Sequence, residues 1–148
     1  MSQKEKEIIL SVCLTCKLNE DENNSKLAGE KLAHKLIDKF KNKKNVTLRG
    51  VNCMSNCKRS CIVSLTAENC FTYVFGDIDP KNSDYINSLQ ELLLTYSKSE
   101  DGFLRRRHRP EIYRSNIVGR FPAINSKSNI IINLIKINLL KDFNLSNF

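Results

Sequence analysis

Two pairs of closely spaced cysteines, Cys13 with Cys16 and Cys53 with Cys57, each stand directly behind a short apolar run. Residues 7–12 (EIILSV) are rich in β-branched side chains and stop abruptly at Cys13. Residues 46–51 form a second such run, and both read as strands. Between them, residues 26–40 carry Leu27, Ala28, Ala33, Leu36, Ile37 and Phe40 at helical spacing, with lysines on the opposite face and Asn24 or Ser25 as the expected N-cap. A helix of this length between two strands requires a parallel crossover, right-handed by the chirality of such connections. Consecutive parallel strands end on one edge of the sheet. The two cysteine-bearing loops are therefore expected side by side, and four thiols are expected to converge.

The remaining pattern completes an α/β domain. Residues 62–66 and 71–75 read as a hairpin around a polar turn at 67–69. Asp79 followed by Pro80 reads as an N-cap and first helical residue, ahead of a 3.6-residue pattern in Tyr85, Ile86, Leu89, Leu92, Leu93 and Tyr96. The order β-α-β-β-β-α is that of a thioredoxin-like domain, expected over residues 1–98. Beyond Ser97 the periodicity fades, and residues 99–124 read as an extended basic segment packing on that domain. Residues 125–148 form a C-terminal extension that is a candidate peripheral helix. Asn133, Lys136, Asn138, Lys141 and Asp142 interrupt it too often for a membrane span.

A chain of 148 residues with 41% hydrophobic content can bury a core without disulfides. Residues 1–7 are polar and the run that follows is too short for a signal-peptide core, so a cytoplasmic location and no membrane partner are expected. Six cysteines in such a chain read first as metal ligands or redox thiols. The 24 basic and 16 acidic side chains give a net charge of +8, which would suit an anionic partner. An oxidised 2Fe-2S cluster on four thiolates brings a charge of about −2, which weakens the case for nucleic acid.

Four thiolates suit either a tetrahedral zinc ion or a 2Fe-2S cluster, and spacing alone does not choose between them. A third reading is a thioredoxin-type dithiol with Cys13 as nucleophile and Cys16 as resolving thiol. Against it, the position where such enzymes carry a cis-proline holds Arg59, Ser60 and Cys61, and all three prolines, Pro80, Pro110 and Pro122, lie downstream. Cys61 follows Cys57 by four positions and is a possible alternative ligand in place of Cys16. Cys70 has no closely spaced partner and reads as a buried, inert thiol. Lys17, Lys58 and Arg59 flank the cysteines and would raise the reduction potential of a bound cluster. The run Arg105 to Arg109 is either a docking patch for an acidic partner or a solvated segment. His34 reads as a surface residue and His108 has no dyad partner. With no glycine-rich phosphate loop and no paired carboxylates, no catalytic residue is assigned.

Read together, V-C-L-T-C-K at 12–17, C-M-S-N-C-K-R-S-C at 53–61 and T-Y-V-F-G-D at 72–77 resemble an uncharacterised bacterial family of predicted metal-binding proteins. The later pieces D-G-F-L at 101–104, R-H-R-P at 107–110 and I-V-G-R-F-P at 117–122 extend the resemblance over about residues 8–123. It implies a thioredoxin-like 2Fe-2S ferredoxin fold and an association with cobalt or cobalamin metabolism. The expectation is a ferredoxin-like protein, a carrier more than an enzyme, whose cluster sits on Cys13, Cys16, Cys53 and Cys57. It would serve electron transfer or act as an accessory factor. Its expected partner is a redox or metal-handling protein, with a homodimer left open. A zinc-binding or metal-delivery module and a dithiol oxidoreductase stand as the alternatives.

Overall fold

The computed structural model describes residues 4–18 and 26–135. The chain forms β1 (Ile8–Cys13), α1 (Ala28–Phe40), β2 (Val46–Val51), β3 (Val63–Ala67), β4 (Thr72–Phe75), α2 (Ser83–Lys98) and β5 (Ile117–Phe121). These strands make one sheet in the order β2-β1-β3-β4-β5. β1 runs parallel to β2, as its helical crossover demands, and every other pairing is antiparallel. Register and the two-residue period of strands together sort the side chains. Leu10 lies level with Leu48 and Leu65, Val12 with Val63, Val63 with Phe75, and Leu65 with Tyr73. This set is the core face. Leu32, Leu36 and Phe40 of α1 and Ile86, Leu89, Leu93 and Tyr96 of α2 are buried with it. The Tyr96 ring meets Tyr73 edge-on at 6.4 Å, and its hydroxyl donates to the Phe71 carbonyl at 2.6 Å. The opposite face is polar, with Arg49 Nε donating to Ser11 Oγ at 2.7 Å and the Thr66 and Thr72 hydroxyls 2.7 Å apart. A parallel β-α-β unit, an antiparallel hairpin and a closing helix make this a thioredoxin-like α/β fold.

Three local features differ from the sequence expectation. α1 starts at Ala28 behind Leu27, whose N–H is accepted by the Glu30 carboxylate at 3.2 Å, so an acidic third residue does the work of a polar cap. Asn24 and Ser25 lie outside the described residues. α2 starts at Ser83 rather than at Pro80. Asp79 spends its side chain on a turn of its own, accepting from Lys81 N at 2.9 Å, while Asn82 accepts from Asp84 N at 3.0 Å and caps the helix. The basic segment contributes β5, which adds to the β4 edge after short 3-10 turns at Arg106–His108 and Glu111–Tyr113. Gly119 and Arg120 break the apolar alternation there, so this strand owes its place to pairing more than to pattern. Among the described residues 125–135 there are turns and no helix, and the rest of the expected peripheral helix, 136–148, lies outside the described residues. Among the described residues no helix is long and apolar enough to cross a membrane.

Candidate metal centre

Cys13 is the last residue of β1 and sits between two strands. It faces Val51 across the parallel pair, and its N–H donates to Ile62 O at 3.0 Å. The chain then turns over the end of β2. Leu14 N donates to Val51 O at 2.8 Å, and the Thr15 hydroxyl donates to Asn52 O. The loop holding Cys13 and Cys16 is thus tied directly to the loop holding Cys53 and Cys57, and the two lie at one edge of the sheet.

The first turn of α1 presses on the same loop. Gly29 N donates to Cys16 O at 3.1 Å, and a Cβ at Gly29 would stand 2.2 Å from Cys13 O and 2.8 Å from the Leu14 carbonyl carbon. Only glycine allows the helix to approach the Cys13–Cys16 turn this closely.

The sulfurs occupy two kinds of surroundings. Cys13, Cys16 and Cys61 are buried, whereas Cys53 and Cys57 are exposed. The Cys16 thiol makes hydrogen-bond contact with Cys61, Ser60 and Cys13 and with the backbone at Ile62. The Cys61 contact does most to favour the thiolate, burial opposes it, and the net effect lowers Cys16 from 9.0 to about 5. Cys61 is brought there by β3, whose entry is locked by Cys61 N donating to Ile78 O at 3.2 Å and Ile78 N donating to Cys61 O at 3.3 Å.

On the exposed side, Ser55 adopts a left-handed backbone at φ 58° and donates its N–H to Cys53 Sγ at 3.4 Å. Ser60 Oγ donates to Cys57 O at 2.8 Å and closes the 3-10 turn Cys57–Arg59. Arg59 reaches Asp77 through Nε at 2.6 Å, an ion pair at the rim of the site. Lys17 and Lys58 are exposed beside the cysteines.

All six cysteines are outside disulfides. The structure brings Cys13, Cys16 and Cys61 together and holds Cys53 and Cys57 on the adjoining loop. Among the described residues no three His, Cys, Asp or Glu side chains surround a single metal position. Cys70 lies elsewhere, buried at the β3–β4 turn with its thiol 3.8 Å from Glu100 O. His34 is exposed on α1, and His108 is exposed with its Nε2 accepting from Arg107 Nε at 3.2 Å. Spacing alone does not give the Cys16–Cys61 contact, because Cys16 lies in the loop after β1 and Cys61 just before β3; the usable signal was that Cys61 leads into a strand expected beside the first, which made it the alternative to Cys16.

The donor chemistry is that of soft sulfur: cysteines stand on three adjacent segments, one sulfur already receives a backbone N–H, and one thiol already favours its ionised form, although the exposed Cys53 and Cys57 are not drawn in with the buried Cys13, Cys16 and Cys61.

A family model described as "Protein of unknown function (DUF1636)" matches residues 10–123. The chain belongs to the DUF1636 family. The match begins inside β1 and ends just after β5, so it takes in all six cysteines. No curated protein matches the chain. Two solved structures resemble it, both of a thioredoxin-like [2Fe-2S] ferredoxin from Aquifex aeolicus. The wild-type crystal structure is 12% identical, covers 55% of this chain and 82% of that one, and has a TM-score of 0.41. The second is 11% identical, covers 78% of this chain and 93% of that one, and has a TM-score of 0.47.

Proposed function

We propose that this protein is a ferredoxin-like electron carrier or accessory factor that binds a 2Fe-2S cluster through Cys13, Cys16, Cys53 and Cys57. The observation that carries the reading is the direct tie between the two cysteine loops through Leu14, Val51, Thr15 and Asn52. It holds the two cysteine-bearing loops together at one sheet edge, which supports their serving as two pairs of soft ligands. Ligation would draw the exposed Cys53 and Cys57 onto the buried pair, and Cys61, in contact with Cys16, is the alternative fourth ligand. When bound, the cluster would supply one-electron storage close to the surface. The chain's own residues tune that site. Ser55 N–H withdraws charge from the Cys53 sulfur, and Lys17 and Lys58 add positive charge at the rim, both favouring the reduced form. A redox or metal-handling protein is the partner this reading calls for.

A dithiol oxidoreductase draws support from one observation, the low pKa of Cys16 beside Cys61 and Cys13. Exchange with a protein disulfide needs an accessible attacking sulfur, however, and Cys13 and Cys16 are only 4% and 2% exposed.

The test is a serine scan on anaerobically purified protein, followed by visible absorption and by EPR after dithionite reduction. The proposal expects a rhombic reduced signal that is lost in Cys13→Ser, Cys53→Ser and Cys57→Ser. Comparing Cys16→Ser with Cys61→Ser then assigns the fourth ligand. A colourless protein whose disulfide reductase activity depends on Cys16 would overturn it in favour of the dithiol.

A further inference from the structure

We infer that Cys16 and Cys61 form a reversible disulfide when the metal-free protein meets a peroxide, and that this bond controls whether a cluster can be loaded. The control of loading rests on the 2Fe-2S reading above; the disulfide itself does not.

The fold delivers the two residues to one place from two directions. The β1–β3 ladder, which pairs Val12 with Val63, is continued by Cys13 N donating to Ile62 O at 3.0 Å, so Cys61 enters beside the Cys13–Cys16 turn. Cys16 is held at that turn by its own carbonyl, which accepts from Gly29 N at 3.1 Å in the first turn of α1. Cys61 exchanges both backbone hydrogen bonds with Ile78, at 3.2 and 3.3 Å. The two thiols are free and meet inside this frame, and among the polar contacts of the Cys16 sulfur the one to Cys61 is the strongest. Cys13 also touches Cys16 but shares its sulfur with the Thr15 hydroxyl at 3.8 Å. Cys53 and Cys57 stand exposed on the adjoining loop. The pair best placed to bond is Cys16 with Cys61.

Burial selects the oxidant. Cys16 is 2% exposed and Cys61 0%, which excludes a protein disulfide and leaves access only to a small molecule such as hydrogen peroxide. Peroxide oxidises the Cys16 thiol to a sulfenic acid and its other oxygen leaves as water. The Cys61 sulfur then attacks the Cys16 sulfur. The S–S bond forms, and the sulfenic hydroxyl departs with the Cys61 proton as a second water. Two thiols thereby give two electrons to peroxide, and a small dithiol returns them by exchange. Whichever of Cys16 and Cys61 is the fourth ligand, the disulfide consumes it and leaves Cys13, Cys53 and Cys57 one sulfur short.

The full-length, metal-free, reduced protein is treated with equimolar hydrogen peroxide, digested at acidic pH and mapped by mass spectrometry. The inference expects a peptide linking Cys16 to Cys61 that is released by dithiothreitol. Cys61→Ser should abolish the link, and Cys70→Ser, away from the site, should leave it intact. A dominant Cys13–Cys16 or Cys53–Cys57 link, or oxidation with no link, overturns it. The linked protein is then incubated anaerobically with ferrous iron and sulfide, and mapped again afterwards to confirm that the link survived. It should gain no cluster absorbance until dithiothreitol is added, whereas the reduced protein gains it at once. Equal loading of linked and reduced protein overturns the control of loading. A link that forms in a protein taking no cluster in either state upholds the disulfide and refutes the 2Fe-2S reading instead.

Discussion

Replacing Gly29 by alanine separates two opposed expectations. In an ordinary helix interior alanine is better than glycine by about 0.8–1 kcal/mol, so propensity alone predicts a more stable protein. The structure predicts the reverse. The new Cβ would lie 2.2 Å from Cys13 O. The optimum for such a contact is about 3.5 Å, so roughly 1.3 Å of separation must be found. The opposing atoms are backbone, pinned by Cys13 N donating to Ile62 O and Leu14 N donating to Val51 O, and cannot rotate aside. Overpacking of this kind costs about 1–3 kcal/mol, and more where the contact is rigid. For a chain of this size that corresponds to a fall in melting temperature of roughly 2–12 °C. Urea and thermal denaturation of the metal-free, reduced protein, followed by far-UV circular dichroism, measure the loss directly. Iron retention by the anaerobically purified variant should also drop, because the displaced turn carries Cys13 and Cys16. A Gly29→Ala protein as stable as the parent, or more so, would refute the claimed approach of α1 to the cysteine loop.

Other substitutions probe separate parts of the account. Tyr96→Phe keeps the buried ring but removes the 2.6 Å hydrogen bond to Phe71 O, and should cost about 1–2 kcal/mol in urea unfolding. Asp77→Asn breaks the solvent-exposed ion pair with Arg59 and should leave the urea unfolding midpoint almost unchanged; a large fall in the midpoint would contradict the rim assignment. In the metal-free, reduced protein, the Cβ carbon NMR shift of Cys16, which reports thiol ionisation without needing access to the sulfur, should titrate with a midpoint near pH 5, against 9.0 for an unperturbed thiol. Cys61→Ser should move that midpoint upward, since the Cys61 contact is the largest cause of the shift. Because the folded-state pKa is depressed, the associated stability is fully present above the ordinary thiol pKa and is lost as pH falls through about 5.

The strands and helices that position the site were legible where one-dimensional pattern and burial coincide. Residues 46–51 were bounded correctly, and Ile86, Leu89, Leu92, Leu93 and Tyr96 mark the buried stripe of α2. The adjacency of the two cysteine loops followed from parallel pairing alone. Caps were harder to read, because Leu27 caps α1 through the Glu30 side chain, whereas Asp79 resembles a cap but serves a separate turn. β5 was hidden, since Gly119 and Arg120 interrupt its alternation and only the free edge of β4 gives it a place. The Cys16–Cys61 contact was only hinted at, by Cys61 as the alternative ligand, and the burial of Arg109 was hidden, for a related reason. Each depends on segments far apart in sequence, and in the basic run a single buried arginine has the same letter as its solvated neighbours.

The central claim is that two neighbouring loops share one inorganic centre, and chemical stoichiometry tests it most directly. Iron, acid-labile sulfide and zinc are quantified per chain in protein purified without oxygen. The account predicts two irons and two sulfides per chain with negligible zinc, and one zinc per chain with neither iron nor sulfide would contradict it.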